Sequence, residues 1–136
     1  MRFRRFVFAS LALFTVALIW NAFVHLVVLR QANAAVAHLH RPDLSDKLWL
    51  SLLLTLALSG LIVAGYAAFA RTGSLREGLG YGIFLALLAG LLVDLNQYIL
   101  YPIPATVALL WFLGGLLEFS LYGVLLSRLF PPVGRR

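Results

Sequence analysis

The sequence contains no cysteine, and charged residues make up only 12% of its 136 positions. Without cysteine there is no disulfide, thiol nucleophile, iron–sulfur ligand or cysteine zinc site, and the redox compartment stays undetermined. The charged share is about half that of a soluble domain. Common enzyme motifs are absent too: there is no H-E-x-x-H, no G-x-S-x-G and no P-loop. We therefore expect no enzymatic activity, no cofactor and no bound metal.

Apolar residues dominate instead, at 62% of the chain, with a mean hydropathy of +0.96. A helix needs about 20 apolar residues to cross a bilayer. Four stretches are long enough, and we predict membrane helices at about 6–29, 48–70, 79–101 and 105–130. Loops at 30–47 and 71–78 and a short P-I-P turn separate them. The predicted fold is all-α: a single domain, 1–136, forming an antiparallel four-helix bundle in a membrane.

Basic residues give the predicted orientation. One side of the membrane receives eight of them, and the other side receives three. The eight are Arg2, Arg4, Arg5, Arg71, Arg76, Arg128, Arg135 and Arg136; the three are Arg30, Arg41 and Lys47. By the positive-inside rule both termini are cytoplasmic, 30–47 is an outer loop and 71–78 is an inner loop. We expect a multi-pass protein of the inner (plasma) membrane that contacts the lipid bilayer and no nucleic acid.

The first apolar stretch has a competing interpretation. M-R-F-R-R followed by an apolar run and A-N-A at 32–34 is similar to a secretory signal with its cleavage site. The apolar part of a signal peptide spans about 7–15 residues, and this run is about 24 residues long. A retained first helix is therefore the better interpretation.

Polar residues inside the apolar stretches form the candidate site. Asp94 precedes Pro102 by eight residues, which places it about 12 Å below the outer boundary. Asn21 and His25 have similar predicted depths, about 13 and 8 Å, and Glu118 lies deeper, at about 21 Å. Because an ionisable group facing lipid is costly, these side chains are predicted to turn inward, with a hydrogen bond between His25 and Asp94. The candidate buried polar cluster is Asn21, His25, Asp94, Gln97, Tyr98, Trp111, Glu118 and Tyr122.

Small residues recur at four-residue steps, from Gly78 through Gly82 and Ala86 to Gly90, and Asp94 follows at the next step. Such spacing lets two helix backbones approach closely in a membrane. The predicted helix-packing residues are Gly78, Gly82, Ala86, Gly90, Gly114 and Gly115. Pro131 and Pro132 are predicted to end the last helix.

Residues 78–130 resemble the C-terminal helix pair of small four-helix bacterial membrane proteins of unknown function. The resemblance rests on a glycine-rich start, an acid and a tyrosine late in the third helix, a proline turn, and a Trp–Gly–acid face on the fourth. The matching residues are Gly82, Asp94, Tyr98, Pro102, Trp111, Gly115 and Glu118. The resemblance implies topology and no particular chemistry.

Three functions remain open. The first is a non-enzymatic accessory or oligomeric membrane component with a polar His/Asp/Glu interior, associated with further copies or with another membrane protein. The second is a small proton-coupled transporter or channel that uses Asp94 and Glu118. The third is a metal- or haem-binding membrane component, for which His25, His38 and His40 are the candidate ligands.

Overall fold

The computed structural model describes residues 3–130, and this part of the chain is helical apart from short connections, without a β-strand. The α-helices are α1 (Phe3–Phe23), α2 (Arg30–Ala35), α3 (Leu48–Phe69), α4 (Leu75–Ala89), α5 (Leu95–Leu100) and α6 (Ala105–Leu129). Two π-helical turns, Val24–Val28 and Gly90–Asp94, and two 3₁₀ turns, Ala37–Leu39 and Ser45–Lys47, lie between them.

Four helical segments are long and apolar enough to cross a membrane: Phe3–Val28, Ser45–Phe69, Leu75–Leu100 and Ala105–Leu129. We refer to them as the first to fourth spans. The prediction of an all-helical chain with four such helices is confirmed. Its antiparallel bundle and the sides of its termini stay predictions. The arginines at positions 2, 135 and 136 and the prolines at 131 and 132 lie outside the described residues.

The chain divides into two compact units, Met1–Ala64 and Gly65–Arg136, and the boundary falls within α3. In the first unit, Ala9, Leu13 and Ala17 are buried at four-residue steps along α1. Gly60 faces the end of the Phe6 ring. Hydroxyl groups in both of its spans bond back to their own helix, as Thr15 does to the Leu11 carbonyl at 2.9 Å.

In the second unit, α4 and α6 pack against each other along their lengths and run antiparallel. Gly78 lies against Gly123, Gly82 lies against Phe119, and Gly90 lies under the ring of Phe112. As the residue number rises on one helix it falls on the other, which defines the antiparallel register. Because the first two contacts involve backbone atoms of α6, a side chain at these positions of α4 has no room.

The third span begins at Leu75, before the predicted start at residue 79. The Ser74 hydroxyl accepts a hydrogen bond from the Glu77 amide at 3.3 Å and caps α4. Serine followed by glutamate three residues later is the sequence pattern of a capping box, but here the Ser74 amide bonds to the Thr72 hydroxyl and not to Glu77. Local hydrogen bonding therefore starts this helix among polar residues, ahead of the apolar run.

Candidate functional site

Asp94 occupies the last position of the π-helical turn Gly90–Asp94. The amide of Leu95 bonds to the Gly90 carbonyl, five residues back, in place of the usual four. Such turns are uncommon and are frequently found at functional sites. The turn thus ends at one of the two acids that the sequence places within predicted membrane helices.

The carboxylate of Asp94 faces the fourth span. A methyl group added at Gly115 would lie 3.6 Å from Asp94 Oδ2, so the glycine leaves the carboxylate beside bare backbone. Asp94 is half-buried. Within the described part of the second unit, residues 65–130, it has no hydrogen-bond or ion-pair partner. The site therefore contains a carboxylate whose hydrogen-bonding capacity is unused.

Glu118 lies one helical turn beyond Gly115, on the same face of α6. The Tyr122 hydroxyl donates a short hydrogen bond to Glu118 Oε1. The Tyr122 side chain is buried, and its ring meets that of Phe119 edge-on, with 5.4 Å between centroids. We call Asp94, Gly115, Glu118 and Tyr122 the polar track, because they follow one another along the hairpin of the third and fourth spans.

The other predicted members of the cluster in this unit differ in how exposed they are. Gln97 and Trp111 are half-buried, as is Gly114, which the sequence predicts to be a packing residue. Tyr98 is 52% exposed. Its ring therefore lies at the surface of the described chain, where lipid or a neighbouring protein can contact it.

His25 lies in the other π-helical turn, Val24–Val28, within the first unit. The Asn33 amide nitrogen lies 3.0 Å from His25 Nδ1 and donates to the His25 carbonyl oxygen at 3.1 Å. The side chain of Asn21, one turn earlier, bonds to the Ala17 carbonyl at 2.9 Å. The structure thus gives His25 a local partner, Asn33, and places its side chain in an exposed position. The predicted hydrogen bond between His25 and Asp94 stays a prediction.

The loop histidines lie near an ion-paired turn. His38 and His40 are both exposed. Arg41 Nε lies 2.9 Å from one Asp43 carboxylate oxygen and Lys47 Nζ lies 3.3 Å from the other. The hydrogen bonds from Arg41 and then from Lys47 hold the pKa of the Asp43 carboxyl below its usual value. In residues 3–130 no group of three or more His, Asp or Glu side chains is placed to hold a metal ion.

Glu77 organises a turn that the sequence analysis overlooked. Its carboxylate accepts hydrogen bonds from the amides of Arg71, Thr72 and Gly73, at 2.6, 2.8 and 2.6 Å. The Thr72 hydroxyl adds a fourth bond at 3.0 Å. Gly73 has a φ of 62°, a conformation that favours glycine. The S-x-x-E pattern at 74–77 is the sequence signal that marks this turn.

Beside that turn, the ring of Tyr66 packs edge-on against Tyr81 and Phe130, with centroid distances of 5.4 and 6.0 Å. Its ring is buried, and its hydroxyl has no hydrogen-bond partner in the described segment 3–130. The aromatic cluster joins the end of α3 to the third and fourth spans.

Comparison with protein-family models, with curated proteins and with solved structures finds no match to this chain. The resemblance noted for residues 78–130 therefore rests on its motif residues alone. Any function must be argued from the geometry of the chain itself.

Proposed function

We propose that this chain is a non-enzymatic, multi-pass component of a cell's inner membrane that functions as an oligomer or accessory subunit. The observation that carries the proposal is the half-buried Asp94 carboxylate, which no described residue of the second unit engages. A charged side chain at the centre of a membrane helix costs about 2.5–3.5 kcal/mol on insertion scales. A donor on a neighbouring helix from outside the chain would offset that cost.

The position of Asp94 suits such a contact. Tyr98 on the third span and Tyr101, directly after it, are 52% and 53% exposed. Tyrosine combines an apolar ring with a hydroxyl donor, and it is enriched at protein interfaces for that reason. A second copy of the chain that packs on this face would supply the Tyr101 hydroxyl and the Gln97 amide to Asp94.

For the orientation we propose cytoplasmic termini, with 30–47 on the outer side. The support is the distribution of basic residues, eight on one side against three on the other. The negative charge of Asp43, which lies between Arg41 and Lys47, offsets part of the positive charge of the proposed outer loop.

The absence of cysteine makes cross-linking a direct test. Tyr98→Cys and Leu109→Cys place single thiols at positions that are 52% and 51% exposed. They lie four and five residues from the hairpin prolines Pro102 and Pro104, so their depths match. We expect oxidation in native membranes to convert most of the Tyr98→Cys protein into a disulfide-linked dimer and little of the Leu109→Cys protein, as measured on a non-reducing gel.

The role of Asp94 is tested in the Tyr98→Cys background. Asp94→Leu removes every hydrogen-bonding group and should reduce the dimer band to the level of Leu109→Cys. Asp94→Asn replaces the carboxyl group by an amide of similar shape that still forms hydrogen bonds, and it should retain the band. Equal cross-linking at positions 98 and 109, or an unchanged band with Asp94→Leu, would contradict the oligomer proposal.

A second candidate function is proton-coupled transport, and the polar track favours it. Asp94 and Glu118 lie on facing helices of one hairpin, with Gly115 beside the first acid and Tyr122 bonded to the second. Carboxylates within membrane helices are the usual carriers of protons in pumps and transporters. In this function Asp94 takes up a proton, and Glu118 is the next acceptor along the hairpin.

Reconstitution into liposomes that contain a pH-sensitive dye separates the two functions. For the oligomeric component we expect proton flux equal to that of protein-free liposomes, and Asp94→Asn should not change it. For the transporter, wild-type flux exceeds that baseline and falls at least about tenfold in Asp94→Asn and in Glu118→Gln, because neither amide carries a proton at neutral pH. Asp46→Asn, an exposed loop acid, is the matched control.

A further inference from the structure

Three arginines gather at one end of the second unit, and we call them the arginine end: Arg71, Arg76 and Arg128. The Arg71 amide bonds to Glu77, the residue directly after Arg76. Gly78 packs against the Ser127 side chain, the residue directly before Arg128. The end of α3, the start of α4 and the end of α6 therefore place these arginines around one small area.

All three side chains are exposed. Within the described residues of the second unit, 65–130, none of their guanidinium groups has a carboxylate partner. The loop basic residues differ, because Arg41 and Lys47 share Asp43. The arginine end thus presents unpaired positive charge.

The acid within this area does not neutralise that charge through direct pairing. The Glu77 carboxylate is occupied by three backbone amides and the Thr72 hydroxyl. It closes the turn between the second and third spans and fixes the spacing of Arg71 and Arg76. These hydrogen bonds hold the turn that carries Arg71 and Arg76, and the charge of the arginines is left available to a ligand.

The arginine end lies where three apolar spans begin or end, which is the level of the lipid headgroups. Guanidinium groups bind phosphate through paired N–H donors better than ammonium groups do. Basic clusters beside membrane helices attract anionic lipids. We propose that Arg71, Arg76 and Arg128 together bind the phosphate of an anionic phospholipid headgroup. This inference depends neither on the oligomeric state nor on the transport activity of the protein.

The test measures how much lipid the full chain retains after purification in neutral detergent. Phosphatidylglycerol or phosphatidylcholine is added at equal concentration, and the bound lipid is counted by native mass spectrometry. We expect clear preference for phosphatidylglycerol. Each Arg→Gln change at positions 71, 76 and 128 should weaken its binding about fivefold, from the usual contribution of one basic residue at an anionic surface.

The matched control is R30Q/R41Q/K47Q, which removes the same charge as R71Q/R76Q/R128Q from another part of the chain. The control should keep the preference for phosphatidylglycerol. R71K/R76K/R128K should keep most of this preference, and its binding would show that the fold tolerates substitution at these positions. Equal binding of the two lipids by the wild type would overturn the proposal. So would an equal loss in the loop control, or displacement of the lipid by millimolar inorganic phosphate, which would mark a site for free phosphate.

Discussion

The Gly123→Ala substitution is expected to lower the free energy of unfolding of the hairpin by about 2 kcal/mol. The added methyl group would collide with the Gly78 carbonyl oxygen and lie 3.2 Å from the Gly82 amide nitrogen. Backbone atoms cannot rotate away as a side chain can, so the overpacking cost should be at the upper end of the usual range, about 3 kcal/mol. The better helix propensity of alanine offsets about 1 kcal/mol of this loss in the free energy of unfolding.

The matched control is Gly80→Ala, on the same helix as Gly78. A methyl group there meets nothing within 4 Å, so this variant should be as stable as the wild type or up to about 1 kcal/mol more stable. The measurement is unfolding in mixed micelles by titration with dodecyl sulfate, followed by circular dichroism. If the two variants unfold at the same detergent fraction, the helices are not held at backbone contact.

The second large effect is expected for Glu77→Gln, which should open the turn at 71–73. Three amides and a hydroxyl converge on the Glu77 carboxylate. Glutamine offers one acceptor oxygen in place of two, and its NH₂ group would place a donor opposite the amide donors of the turn. We expect amide hydrogen exchange at positions 71–73 to accelerate by about tenfold or more, since bonds to charged acceptors are among the stronger ones.

Asp46→Asn provides the comparison for Glu77→Gln. Asp46 is exposed, and its hydrogen bond from the Ser45 hydroxyl is long, at 3.5 Å. Its neighbouring amides should therefore exchange at the wild-type rate. Unchanged exchange at 71–73 in Glu77→Gln would mean that the turn is held by the packing of Tyr66 and Tyr81 and not by the carboxylate.

Hydropathy predicts the number of spans because a lipid core requires long apolar runs, whatever the tertiary packing. The helix ends follow local hydrogen bonding instead. The third span begins at Leu75, among polar residues, because the Ser74 hydroxyl caps α4 irrespective of hydrophobicity.

The candidate site shows what sequence periodicity leaves out. The four-residue series from Gly78 to Gly90 reaches Asp94 at its next step. The π-helical turn widens the helix between Gly90 and Asp94, and the acid, which faces Gly115 of the fourth span, is half-buried where Gly90 is buried. No residue in the segment G-L-L-V-D predicts a π-helical turn.

Contacts that depend on the packing register of two helices also cannot be predicted from a single sequence. The interpretation of small residues lists Gly78 and Gly82 but omits Gly123, whose partner is fixed by the antiparallel register of α4 and α6. Likewise, Asn33 meets His25 only because the chain folds back locally after the first span. The polar residues were identifiable, but their partners were not.

Close approach of two backbones also constrains how this chain can change over evolutionary time. Lipid-facing leucines, such as Leu91 and Leu92, can exchange with other apolar residues, because lipid makes no specific contact with them. Gly78, Gly82 and Gly123 cannot, since each position faces backbone atoms of the other helix. Distant relatives should therefore share two glycines four residues apart and a third one 41 residues later, even where little other identity survives.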